Sequence, residues 1–305
     1  MIWLSGFLRK QGQLLLENNR HAMLHAVVLA LLPYTTWLSV AVIALIVLRK
    51  GSQEAVLLLI AAMTAHAAIS LTSMTAATAI VNALLTFVPC YMAACILRLT
   101  SSWRAVAGIC LLQVIVAVLL LQVLMPDYIM AQYLYIQAVV NSMQTETALM
   151  GLINDKNGLN QLFLANYLLG IQAAGIMFSA VISLMLARSV QSQLYYPGGF
   201  GQEMLRFRGD RIGLVFLLIL LAGVKLGNVL AMNVLPLFLL YFLLAGLSLS
   251  FNVLARKRSL SSLLLLITPL LLLPFIMLPV YVIFGSLDSL FNFRLYLPAG
   301  AGKRT

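Results

Sequence analysis

Eight apolar stretches of about twenty residues or more, almost free of charge, dominate this chain. They fall at Leu24–Leu48, Ala55–Met74, Ala76–Leu97, Trp103–Met125, Leu162–Ala187, Ile212–Leu230, Val234–Leu254 and Leu263–Phe284. About 20 apolar residues in a helix cross the hydrocarbon of a bilayer. A strand barrel would need segments of about ten residues with alternating polarity, whereas these runs are continuous. In lipid a helix satisfies its own backbone polar groups without closing a sheet. The fold expected is all-α, a polytopic transmembrane bundle of about eight spans. A soluble enzyme is excluded, because only 9% of the residues are charged against about 25% in soluble domains.

The net charge of +11 comes from 19 Lys and Arg against 8 acidic residues. In a membrane protein such an excess gathers at the cytoplasmic ends of spans and faces anionic lipid, so the lipid bilayer, not nucleic acid, is the partner it implies. Cys90, Cys95 and Cys110 all lie in apolar runs; an odd number without paired spacing suggests neither a disulfide framework nor a metal site. Arg9-Lys10 follows the short apolar start instead of preceding it, which is not a signal-peptide order. The organisation expected is a peripheral segment 1–20, one transmembrane domain 21–294 and a polar tail 295–305.

Orientation follows from the loops. If Arg49 and Lys50 are cytoplasmic and the spans alternate, the same side receives Arg98, Arg104, Arg188, Arg206, Arg208, Arg211, Arg256, Lys257 and Arg258, while the opposite loops hold Lys156 and Lys225. The ends obey less well. Eight single crossings put both termini outside, although Arg9, Lys10, Arg20, Arg294, Lys303 and Arg304 flank the spans. Residues Ala22 to Leu48 would extend only about 40 Å as helix, too short for two full crossings. Two shorter helices broken at Pro33 could instead dip in and return, leaving the N-terminus inside. Both arrangements stay open.

Two loops are long. In the outer segment Asp127–Asn160, Ile129, Tyr133, Ile136, Val140, Met143, Thr147 and Met150 recur at spacings of four and three, a face apolar apart from Thr147 and so an amphipathic helix lying on the membrane or folded over the bundle. The inner segment Ser189–Arg211 contains a Pro197-Gly198-Gly199 turn followed by Glu203, Arg206, Arg208, Asp210 and Arg211. It lacks a Gly-Lys-Ser/Thr ending, so a coupling or docking loop, or lipid-headgroup contact, is expected over a nucleotide site.

Polar groups inside spans are functional candidates by default. His66 sits mid-span among Ala, Ser and Thr. Asn82, Asn166 and Gln172 are neutral amides within other runs, and Asn233 lies with Asn228, Gly223 and Gly227 in a loosened turn between two spans. These five residues, His66, Asn82, Asn166, Gln172 and Asn233, are the expected solute contacts; each could equally glue helices together. Pro269, Pro274 and Pro279 predict a kinked or discontinuous last span, and Asp288 is near enough to Arg294 to pair with it. No catalytic constellation and no metal or cofactor motif appears, so no enzyme is expected.

These features resemble the YybS-like family of predicted bacterial membrane proteins, a domain of unknown function. The likeness is carried by Pro33, Arg49-Lys50-Gly51, the outer amphipathic segment, Phe200…Glu203…Phe207, Gly246-Leu247-Ser248 and Gly285…Asp288…Phe293-Arg294. That family is distantly similar to the substrate-binding components of energy-coupling-factor transporters, which capture a solute and dock on a transmembrane scaffold with ATPases. The resemblance implies a bacterial cytoplasmic-membrane location, a solute, and scaffold and ATPase partners. It makes Ala22, Ala26 and Ala30, a small-residue stripe, a candidate helix-docking face; the stripe could also pack inside the bundle. The first reading is therefore a solute-binding or transport component, and the alternative is a non-transporting scaffold or assembly factor.

Overall fold

The computed structural model describes residues 2–73, 75–124, 130, 133–134, 137–138, 158–254 and 268–295. Every regular element among them is helical: α1 (Ile2–Glu17), α2 (Asn19–Leu31), α3 (Thr36–Arg49), α4 (Ser52–Ser70), α5 (Ala76–Thr100), α6 (Trp103–Leu124), α7 (Gly158–Tyr195), α8 (Gly199–Arg206), α9 (Arg211–Lys225), α10 (Val229–Leu254), α11 (Pro274–Phe291) and a 3₁₀ turn, Phe293–Leu295. Six of these, α4, α5, α6, α7, α10 and α11, are long and apolar enough to cross a bilayer, as a multi-pass integral membrane protein requires.

The count of six among the described residues, against eight apolar runs, has local causes. The first run is two helices of 13 and 14 residues, each about 20 Å long and short of the roughly 30 Å hydrocarbon. Pro33 lacks an N–H and ends the first of them; Tyr34 then takes a left-handed φ of 64°, and the Thr35 hydroxyl donates to the Leu29 carbonyl at 2.8 Å. The sixth run stops at Lys225 after 15 residues, because Gly227, at φ 74°, turns the chain. The Asn228 side chain then accepts from the Ala231 N–H and starts α10 earlier than the apolar pattern suggests. In the last run, residues 268–272 are helical, the helix is interrupted at Leu273, and α11 begins at Pro274; this is the discontinuity the prolines predict. The outer segment Asp127–Asn160 lies mostly outside the described residues, as do Arg256-Lys257-Arg258 and the tail. Tyr133, from that segment, is buried against Ala165 and Leu169.

The chain forms two compact units, Met1–Cys110 with Gly175–Met204, and Leu111–Ala174 with Leu205–Thr305. In the first, α3 is the central helix: every residue from Ser39 to Leu48 is buried, as expected of a helix apolar on all sides. It packs on α2, α4 and α5. The two ends of the broken run meet, since the Asn19 side chain accepts from Lys50 Nζ and donates to the Glu54 carboxylate at 3.0 Å. Thus α2 and α3 form a hairpin that returns to its starting end, and Arg20 lies at the same end as Arg49 and Lys50. Helix α4 leads away and α5 comes back, for Arg98 in its last turn donates to the Val47 carbonyl at 2.8 Å.

In the second unit α10 and α11 are the closest pair. Gly246 and Gly285 make this approach feasible: a Cβ on Gly246 would overlap the Tyr281 carbonyl oxygen, and one on Gly285 that of Phe242. Small residues at such crossings let backbones touch. Phe242, Phe238, Leu235 and Val234 of α10 join Leu214 and Leu217 of α9 in the core. The C-terminal ends of α10 and α11 lie together, because Asn252 and Arg294 both donate to the Leu205 carbonyl. The two helices therefore run parallel, and α11 starts at the far end and returns. In the eight-crossing arrangement Arg294 falls at the end opposite to residue 252; here the two lie at the same end.

Candidate functional site

Arginines tie helix ends together in both units. In the first, Arg188 of α7 grips Glu203 of α8 with two bonds, Nε to Oε2 at 3.1 Å and Nη2 to Oε1 at 2.6 Å. Trp103 Nε1 donates to the same Oε2 at 3.0 Å. Arg188 also donates to the Gln191 side-chain Oε1 at 2.7 Å, and Gln191 Nε2 donates on to the Leu48 carbonyl at the end of α3. The Ser192 hydroxyl accepts from the Phe200 N–H and donates to the Tyr196 carbonyl, so the Tyr196-Pro197-Gly198 turn is fixed from within. Phe200 packs on Trp103, and Arg49 lies 3.9 Å from the centre of the Tyr195 ring. Partial burial pushes the Glu203 carboxyl up, but the hydrogen bonds from Arg188 and Trp103 and the charge of Arg188 outweigh it and hold it below the usual carboxylate value.

In the second unit the arrangement is reciprocal. Arg294 pairs with Asp288 at 2.9 Å, as the sequence spacing predicts, and also donates to the backbone carbonyls of Leu205 and Phe207. Arg208, from that same linker, donates to the carbonyls of Asp288 and Ser289, both at 2.8 Å. Those carbonyls lie in the last turn of α11, where the helix dipole favours a cation. Asn292, in the left-handed region at φ 49°, reverses the chain and brings Arg294 back onto Asp288. The pair differs from the expected membrane-surface contact in one respect: Asp288 is wholly buried, and its Oδ1 has no hydrogen-bond partner.

The expected solute contacts do not form one cluster. His66 and Asn82 belong to the first unit; Asn166, Gln172 and Asn233 belong to the second. His66 lies with Nδ1 3.4 Å from the Ala30 carbonyl, meets Phe87 edge to face, and has a buried Nε2 without a partner. Asn82 is half-buried and Gln172 is exposed. Asn166 and Asn233 do meet: Asn233 Nδ2 donates to Asn166 Oδ1 at 3.0 Å and to the Val229 carbonyl at 2.9 Å. Asn233 is inside α10, not in the turn before it, and both amides are buried. The alanine stripe is covered by the chain itself. Ala22, Ala26 and Ala30 are the buried residues of α2, which packs on α3 and α4, and the Ser39 hydroxyl donates to the Ala26 carbonyl at 2.6 Å.

The bonds made by Arg208, Ser248 and Trp103 are not legible in the sequence. The first two act on backbone carbonyls, Ser248 donating to Phe207 at 2.9 Å, and no residue pattern announces a carbonyl acceptor. Among the described residues no three His, Cys, Asp or Glu side chains come together as metal ligands. Segments named for their resemblance, Gly246-Leu247-Ser248 and Gly285…Asp288…Phe293-Arg294, converge with Phe207 on one node. No family model, curated protein or solved structure matches the chain.

Proposed function

We propose that this chain is a non-catalytic docking component of a bacterial cytoplasmic membrane, of the YybS-like kind, that binds another protein through the inner segment Ser189–Met204. The observation that carries the reading is the Arg188–Glu203–Trp103 set. It holds a surface turn in one conformation while leaving Tyr196, Pro197, Gly201 and Gln202 exposed. A pre-ordered loop meets its partner without the entropy cost of ordering. Exposed tyrosine beside polar residues is a composition suited to protein contacts. The positive-inside rule places this end in the cytoplasm, with Arg20, Arg49, Lys50 and Arg98 beside it. Partners implied by the family resemblance are a membrane scaffold and its ATPases.

The test is extraction in mild detergent followed by mass spectrometry of co-purifying proteins. A Tyr196→Ser, Gln202→Glu variant should lose a stoichiometric partner while its melting temperature is unchanged. Retention of the same partner by that variant removes this face from the interface.

The second reading, a solute-binding or transport component, is favoured by Asn166–Asn233. A wholly buried amide pair with one acceptor, Asn233 Oδ1, left without a partner is costly in an apolar interior and is the kind of group a solute donor would satisfy. A small molecule retained by the wild type and lost from Asn166→Ala would support this reading; equal retention in both would place the site elsewhere.

A further inference from the structure

At the basic end of the first unit, α2 and α4 flank an open cleft of about 340 Å³. Its floor is apolar, formed by Met23, Leu57 and Leu58, and its rim carries Asn19, Arg20 and Glu54. Leu57 and Met23 are exposed and Leu58 is buried, so the apolar wall runs from inside the unit out to its surface. Arg20 and Glu54 face this one cleft with opposite charges, yet they form no ion pair with each other among the described residues. Glu54 is held in place by Asn19, which Lys50 holds in turn. The N-termini of α2 and α4 both lie here, and the N-cap of α4, Gly51, has no side chain to cap it.

We infer that this cleft binds one aminophospholipid, with the phosphate at Arg20, the ammonium at Glu54 in the first turn of α4, and the upper acyl chain along Met23, Leu57 and Leu58. Three features of the cleft fit that occupant together. A rim that carries Arg20 and Glu54 unpaired with each other complements a headgroup that is itself a zwitterion. The Arg20 guanidinium favours the phosphate. The wall beneath the rim is apolar, as an acyl chain requires and a free phosphate does not. A purely anionic lipid would leave Glu54 facing a like charge, and phosphatidylcholine carries a quaternary ammonium with no N–H to donate to the carboxylate.

Native mass spectrometry of the full chain, delipidated and then exchanged against defined phosphatidylethanolamine, phosphatidylglycerol or phosphatidylcholine, tests this directly. One phosphatidylethanolamine should remain bound at activation energies that strip the other two. Arg20→Gln and Glu54→Gln should each weaken retention by about tenfold, one charge-assisted contact each. The double exchange Arg20→Glu with Glu54→Arg should recover much of it, because a zwitterion can reverse. Equal retention of all three lipids, or a preference for phosphatidylglycerol that Glu54→Gln increases, would overturn the inference. So would single variants that keep the wild-type preference.

Discussion

Two arginine–carboxylate pairs hold helix ends in this protein, and they differ in burial more than in geometry. Arg188 and Glu203 keep side-chain exposures of 24% and 29%, whereas Arg294 and Asp288 keep 12% and 0%. Glu203 has both oxygens engaged, by Arg188 and Trp103. Asp288 has one oxygen on Arg294 and the other without a partner. In high dielectric an ion pair adds about 0–1 kcal/mol; once buried, losing one member leaves a charge that nothing compensates. The same chemistry serves two ends. The wetter pair sets the shape of a loop, and the dry pair holds the packing of α10, α11 and the linker before α9.

The largest effect should come from Asp288→Ala, which strands Arg294 in the buried node. A loss of about 3–5 kcal/mol is expected, seen as a strongly lowered melting temperature in detergent. Replacing both partners, Asp288→Leu with Arg294→Leu, should recover part of that loss, and a double variant less stable than either single one would deny that the charges compensate each other. Next comes Gly285→Ala. Its methyl would meet the Phe242 carbonyl, and forcing the helices apart should cost about 1–3 kcal/mol. A neutral outcome would mean that α10 and α11 are not in backbone contact.

Smaller still is Asn233→Leu, which leaves Asn166 without that donor and should cost about 1 kcal/mol, with the same assay as readout. Smallest is the acid response of Glu203. Its carboxyl titrates below the ordinary value of 4.5 in the folded protein, so its contribution is fully present above about pH 4.5 and is lost as pH falls through the depressed value. Glu203→Gln should flatten that part of the stability curve. An unchanged curve would show that the pair adds nothing to stability at any pH.

Much of the fold is legible in the residues, and the reasons vary by element. Pro33 announces its break because proline removes a donor wherever it sits. That the two short helices fold back on themselves is not legible, since it depends on Asn19 reaching Lys50 and Glu54 across the hairpin. Asp288 and Arg294 are readable as partners from their spacing, but the burial of Asp288 follows from α10 and Arg208, which lie far off in sequence. The alanine stripe of α2 signals close approach; the identity of the helix it meets is a tertiary fact. Asn233 is misplaced by the apolar pattern because Gly227 and Asn228, not hydropathy, decide where α10 starts. The candidate site is legible as a Gly- and Arg-rich loop, yet its rigidity rests on Trp103 and Arg188, which belong to apolar helices.

Arg188 and Glu203 order an exposed loop without holding up the fold. With Cys90, Cys95 and Cys110 replaced by Ala, a nitroxide attached through Gln202→Cys reports the motion of α8 directly by electron paramagnetic resonance. The account predicts an immobilised spectrum in the otherwise native chain and a mobile one when Glu203→Gln is added, with the melting temperature within about a degree or two of its parent, as loss of an exposed pair implies. A label already mobile with the pair intact, or one still immobilised after its loss, would contradict it.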